Sequence, residues 1–379
     1  MADFTFKSYL PFLRSKGGKY VFNSQMLEEA TESLPSGLKE SYKRLKKTAD
    51  ILIKEGEPLV GQSPKEVIWT KNKSKLYHYI PTTKKVKKTP ILLIYALINK
   101  PYILDLTKGN SFVEYLVNEG FDVYLLDWGT FGHEDRHLKF DDIIHDYIAK
   151  AVNKVLRFSG AKELSMLGYC MGGTLTSIYA SLYENAPIKN LIFVTSPFDF
   201  SDTGLYGAFL NEKYFALDKA VDTLGNIPPE MIDFGNKMLK PVTNFVGPYV
   251  TLLDRSDNTK FIKSWQLMQK WVTDGIPFPG EAYRQWIREF YQQNKLLSGD
   301  LEIRGRKVDV SNIKANVLNI SATKDHIAMP CQVEALNEHI SSVDKQYVSI
   351  PSGHVSIMFG PVSLKTTYPT IGKWLAERS

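Results

Sequence analysis

This 379-residue chain predicts an α/β fold built on a mostly parallel, doubly wound sheet, and three observations carry the prediction. From Pro90 onward, short continuous apolar runs alternate with amphipathic helical stretches, the pattern left by buried parallel strands and their crossover helices. A composition of 43% hydrophobic, 23% charged and 12% aromatic residues belongs to a folded globular protein and excludes wholesale disorder, collagen and coiled coil. The βα rhythm stops after Thr195 and two strand patterns return beyond residue 304, so a segment of roughly 100 residues, too long for an ordinary loop, is inserted.

Each element follows from a local pattern. The first residues, MADFTFKSYLPFLRSKGGKY, lack the apolar stretch of a signal peptide. Tyr42, Leu45, Ala49 and Leu52 recur at helical spacing with Lys39, Lys43, Lys46 and Lys47 on other faces, predicting an amphipathic helix over 38–55. Ser63-Pro64 punctuates. Val67-Ile68-Trp69 and Leu76-Tyr77-His78-Tyr79, separated by the polar stretch 71–75, predict a hairpin, and the lysine-rich 84–88 an exposed connection. Strands are expected at 91–95, 121–126, 164–167, 191–195, 316–321 and 346–350, with helices at 110–119, 141–158 and 172–184. The domain organisation expected is an N-terminal helical segment over 1–62, the first part of the α/β core over 63–195, an inserted cap over 196–304 rich in Pro, Gly and aromatic residues, and the second part of the core over 305–379.

Charge and cysteine content narrow the function. The net charge of +6 is concentrated at the N-terminus: residues 1–100 hold 19 Lys+Arg against 9 Asp+Glu. No nucleic-acid motif accompanies this basic segment, so it reads as a solvated or partner-facing surface. Two cysteines and seven histidines build neither a disulfide scaffold nor a Cys-rich zinc site, and a reducing, cytoplasmic setting is expected. The longest apolar run, 90–98, is too short to span a bilayer. No metal or organic cofactor is implied, because the His and acidic residues show no ligand spacing.

The chemistry is carried by one turn. Strand 164–167 runs into Gly168-Tyr169-Cys170-Met171-Gly172-Gly173 and then a helix, which places Cys170 at the centre of a G-x-C-x-G nucleophile elbow of the α/β-hydrolase type. The elbow pushes its central side chain out at the sheet's C-terminal edge, and a helix N-terminus with a neighbouring imidazole favours the thiolate. In such folds the acid follows a late strand and the His the last one. Strand 316–321 leads to Asp325 and strand 346–350 leads to His354, so Cys170, His354 and Asp325 are the expected nucleophile, base and orienting acid. His326 is the rival base; Cys331 has no catalytic setting. The backbone N–H of Met171 and that of Leu97 or Ile98, in the loop after the first sheet strand, are the expected oxyanion-hole donors. Asp127-Trp128-Gly129 ends at the same edge and is expected to shape the pocket or pack beneath the elbow.

These residues resemble a known family. The stretch YALINKPYILDL at 95–106, Asp127-Trp128-Gly129, the Cys170 elbow and Gly353-His354 are together similar to the catalytic subunit of polyhydroxyalkanoate synthases, over nearly the whole chain from about Leu38. Chain length and Gly225-Asn226-Ile227-Pro228-Pro229 make the short class IV type the most similar, with class III as the near alternative. The resemblance implies an acyltransferase that polymerises (R)-3-hydroxyacyl-CoA, chiefly 3-hydroxybutyryl-CoA, into a polyester, with CoA released. It also implies a small non-catalytic synthase subunit as partner and a location at cytoplasmic polyester granules. The CoA-binding residues are not assigned. The inserted cap is expected to keep the acyl-enzyme dry, and on opening to present apolar surface to the granule, the partner subunit or a second copy in a homodimer. The alternative is a Cys-dependent hydrolase, a thioesterase or dienelactone-hydrolase-like enzyme; a non-catalytic granule scaffold is the third reading.

Overall fold

The apolar runs from residue 91 onward form the interior of one eight-stranded sheet in a computed structural model that describes residues 14–16, 19–21 and 36–379. Its strands are β1 (Lys65–Lys71), β2 (Ser74–Tyr79), β3 (Ile91–Ile94), β4 (Val123–Asp127), β5 (Leu164–Tyr169), β6 (Ile188–Val194), β7 (Asn316–Ala322) and β8 (Lys345–Ile350). They lie in the order β8-β7-β6-β5-β3-β4-β2-β1. From β3 to β8 every pairing is parallel, while β1 pairs with β2, and β2 with β4, antiparallel. All residues of β3 and β5 are buried, as expected of strands covered on both faces. The chain leaves β3 for β4 on one side and returns to β5 on the other. That reversal opens a crevice at the C-terminal ends of β3 and β5, where α/β sheets bind ligands.

The predicted elements are present with shifted ends. The polar tract 71–75 is drawn into the hairpin: β1 and β2 are joined across Asn72-Lys73, with Asn72 in the left-handed region at φ 51°. Asn tolerates that conformation, so a two-residue turn suffices. Helix α1 spans Ser36–Glu55, α2 Phe112–Asn118, α3 Ala149–Ser159 and α4 Met171–Leu182. The Ser111 hydroxyl caps α2 by accepting the Glu114 N–H at 2.9 Å. The stretch predicted as one helix over 141–158 instead enters α3 through a π-type turn, Ile143–Ile148, and ends at Gly160 with φ 69°. Every residue of α4 is buried.

Between β6 and β7 the chain is mainly helical, with segments including Gly204–Phe209, Leu217–Leu224, Pro229–Met238, Gly280–Gln285 and a π-type Trp286–Gln292. Phe200, Trp286, Phe290 and Tyr291 pack with ring centroids 4.8–5.8 Å apart. Composition revealed the aromatic content of this region but not its helices, because helices of six to ten residues are shorter than the window over which a helical period is read.

The chain divides into two compact bodies. One, residues 59–240 and 271–379, contains the whole sheet. The other joins the described residues up to Pro58 with 241–270. Within it, Lys47 pairs with Asp257, Lys270 with Glu57 at 2.5 Å, and Gln266 Nε2 donates to the Gly56 carbonyl at 2.5 Å. Residues 241–270, read from sequence as part of the insertion, therefore pack with the segment that carries α1. The leader-free reading of the first residues falls largely outside the described residues. Among the described residues, no helix is long and apolar enough to cross a membrane.

Candidate active site

The sharp turn expected at Cys170 is present. Its backbone sits at φ 57°, ψ −134°, a region that L-residues avoid at a cost of about 1–3 kcal/mol, and α4 begins at the next residue. Two backbone hydrogen bonds hold the turn, Cys170 N–H to the Val194 carbonyl and Gly173 N–H to the Cys170 carbonyl, both at 2.9 Å. A Cβ at Gly168 would collide with the Gly173 backbone, at Gly172 with the Ile94 carbonyl, and at Gly173 with the Ser196 side chain. The three glycines are thus required for α4 to meet β5, the end of β3 and the segment after β6 this closely.

The loops after β7 and β8 converge on the turn. They are joined by Thr323 N–H to the Ile350 carbonyl and Lys324 N–H to the Ser352 carbonyl, each at 2.9 Å. One oxygen of Asp325 accepts the N–H groups of Ile327 at 2.8 Å and Ala328 at 3.0 Å. The other accepts Nδ1–H of His354 at 2.6 Å. His354 lies near enough to Cys170 for the sulfur to act on its charge. Burial opposes a charge on this ring, but the Asp325 carboxylate and the Cys170 sulfur outweigh it and hold the His354 pKa well above its ordinary value. His326 does not share the carboxylate: its Nδ1 is buried with no partner among the described residues, and burial together with Lys240 lowers its pKa. Cys331 is exposed, on the short helix Pro330–Glu334.

Met171 is the first residue of α4, so its N–H has no acceptor within the helix. Leu97 and Ile98 lie in the loop leaving β3, against which the elbow packs through Gly172. This loop is pinned where the Ile98 carbonyl accepts Ile276 N–H at 2.9 Å and Trp128 Nε1–H donates to the Tyr95 carbonyl at 2.9 Å. Trp128 is fully buried, which makes Asp127-Trp128-Gly129 a support for that loop.

Comparison with known proteins fits this geometry. Residues 89–361 match the alpha/beta hydrolase fold model, and residues 17–116 match the Poly-beta-hydroxybutyrate polymerase (PhaC) N-terminus. The chain is 36% identical over 321 residues to the Poly(3-hydroxyalkanoate) polymerase subunit PhaC of Thiocystis violacea, covering 84% of this chain and 90% of that one. The chain belongs to the PhaC family. It is also 36% identical over 324 residues to the PhaC subunit of Haloferax mediterranei, of which it spans 66%. Among solved structures, a candidate lipase from Sulfolobus solfataricus aligns with TM-score 0.52 and 15% identity over 86% of this chain and all of that one, a likeness of fold.

In this PhaC-family chain, an imidazole bonded to a buried carboxylate lies near a thiol at the end of a buried sheet. Such an arrangement can attack an acyl carbon, hold the acyl group as a thioester, and move protons to and from the arriving and departing groups. Sequence reasoning missed one side chain that braces His354 and two tyrosines near Cys170. Tyr169, beside the nucleophile, donates its hydroxyl to the His354 carbonyl at 2.8 Å. Tyr206 and Tyr291, from the inserted helical region, lie close enough to Cys170 for its charge to add to burial in raising their phenol pKa values. The signal for Tyr169 was its position in the elbow; that for Tyr206 and Tyr291 was aromatic enrichment without any register.

Proposed function

We propose that this chain is the catalytic subunit of a polyhydroxyalkanoate synthase, polymerising (R)-3-hydroxyacyl-CoA, chiefly 3-hydroxybutyryl-CoA, with release of CoA. The observation that carries this reading is the Cys170 elbow with the bonded His354–Asp325 pair near it, in a chain of the PhaC family. The Cys170 thiolate attacks the CoA thioester carbonyl, and the oxyanion forms against the N–H of Met171 and of Leu97 or Ile98. As the carbonyl re-forms, the CoA sulfur leaves and takes the proton held by His354. The hydroxyl of a 3-hydroxyacyl unit then gives its proton to His354 as its oxygen attacks the acyl-enzyme, and Cys170 departs as thiolate. Thioester exchange keeps the acyl group activated, and ester formation makes the second step downhill. Asp325 fixes the imidazole's tautomer and stabilises its charged form.

Water must be kept from the acyl-enzyme, and in this reading the helical segments within 204–238 and 280–292, which belong to the same body as the sheet, supply the cover. The stretch Gly225-Asn226-Ile227-Pro228-Pro229 favours the class IV type, working with a small separate subunit at the surface of a cytoplasmic polyester granule. Incubating the purified protein with 3-hydroxybutyryl-CoA, alone and with a co-expressed partner, while following thiol release and turbidity tests the activity. Thiol release with polymer supports it, as does loss of both in Cys170→Ala. Thiol release that yields free 3-hydroxybutyrate alone overturns it in favour of a hydrolase.

A further inference from the structure

Tyr169 is the last residue of β5 and the residue before the nucleophile, and its side chain is fully buried. Its hydroxyl crosses from the elbow to the loop after β8, donating to the backbone carbonyl of His354 at 2.8 Å. Its ring lies 5.8 Å from the His354 ring at an interplanar angle of 27°, and 5.2 Å from the ring of Tyr95. Tyr95 begins the loop that carries Leu97 and Ile98, and its carbonyl is held by Trp128. One side chain therefore touches the base, sits beside the nucleophile, and packs on the root of the proposed oxyanion loop.

The other ties on the base come from elsewhere. Asp325 holds the ring edge, and the loop after β7 holds the backbone at Ile350 and Ser352, upstream of His354. Those contacts fix His354 to the acid, not to the elbow. An imidazole swinging about them by a few degrees would keep its carboxylate and lose its line to sulfur, a displacement to which proton transfer is sensitive.

We propose that Tyr169 is a positioning residue: its hydroxyl on the His354 carbonyl and its ring against His354 and Tyr95 fix the imidazole in line with the Cys170 sulfur. Burial, with Tyr95, Cys170 and Asp325 adding to it, lifts the phenol's pKa well above its ordinary value, so it remains a donor across the working pH range. The kinetic consequence rests on the acyl-transfer reading above, but the alignment itself does not.

Tyr169→Phe retains the ring and removes the hydroxyl. The measurement is the rate of Cys170 alkylation by iodoacetamide near neutral pH, read by peptide mass spectrometry, with the exposed Cys331 as internal reference. The expected result is alkylation of Cys170 slowed about tenfold with Cys331 unchanged, and kcat for CoA release lowered about tenfold with KM within about twofold. In a His354→Ala background the same substitution should have no further effect on Cys170. Wild-type alkylation of Cys170 in Tyr169→Phe overturns the proposal, even if the variant melts earlier, and so does an effect that persists without the imidazole. Because alkylation needs no acyl-CoA, failure of the polymerase reading would appear separately, as a wild-type protein that alkylates at Cys170 but makes no polymer.

Discussion

His354 Nδ1 stands 2.6 Å from Asp325 Oδ2, and the Asp325 side chain is wholly shielded from solvent. The carboxylate's other oxygen is occupied by two backbone N–H groups, so the acid cannot rotate away without leaving them unpaired.

Asp325→Asn removes the strongest influence that keeps the ring charged, leaving burial, which acts the other way, less opposed. A ring with a raised pKa keeps its proton until the pH climbs through that raised value. The imidazolium is therefore present below it and lost above. The variant should show kcat lowered roughly 100- to 10,000-fold and a high-pH limb displaced toward lower pH. A pH–rate profile of CoA release checks both; an unmoved limb would count against Asp325 as the ring's partner.

Gly172→Ala sets a methyl group against the Ile94 carbonyl, backbone against which no side chain can give way. The expected loss is about 1–3 kcal/mol of stability, with activity falling further than stability because the elbow itself shifts. Urea melts alongside the CoA-release assay measure the two effects.

Asn294, at φ 47°, accepts the Phe200 N–H at 2.7 Å and donates to Asp199 at 2.8 Å, closing the helical region between β6 and β7 at its two roots. Loosening that clasp should admit water to the acyl-enzyme. In Asn294→Ala the ratio of free 3-hydroxybutyrate to polymer should rise about fivefold, the effect of roughly 1 kcal/mol. Chromatography of the products decides it, and an unchanged ratio would separate this clasp from water exclusion.

His78, on β2, is bonded through one ring nitrogen to Glu66 at 3.1 Å and through the other to Asp122 at 2.9 Å, and stacks on Tyr124 at 4.7 Å. Burial disfavours its charge, but the two carboxylates prevail and its pKa is raised. The stabilisation is full below the unfolded value of about 6.5 and is lost as pH rises through the raised folded value. Denaturation of wild type should lose about 1 kcal/mol across that window, whereas His78→Gln should be less stable at low pH and flat across it.

How much of this was legible depends on how far each signal extends along the chain. The elbow, Asp325 and His354 were readable because each belongs to a local strand–turn pattern: an apolar run, a glycine or small-residue turn, then the functional group. The parallel strands were readable for the same reason, with ends misplaced by up to three residues; in the antiparallel hairpin a tight turn at Asn72 replaced an expected polar connection. The Tyr169 hydroxyl bond spans 185 residues of sequence, and the packing of residues 241–270 with the N-terminal segment is equally non-local. Neither leaves a periodicity. His78 looked like one more residue of a strand because its two carboxylates come from β1 and from the residue just before β4.

All twelve residues of α4 are out of solvent, so the helix that starts at the reactive sulfur has no free face. Randomising it to broaden the range of accepted monomers would sacrifice folded protein at almost every position. Tuning by directed evolution has more room in the inserted helical region, whose segment Gly204–Phe209 includes exposed side chains such as Leu205 and Phe209.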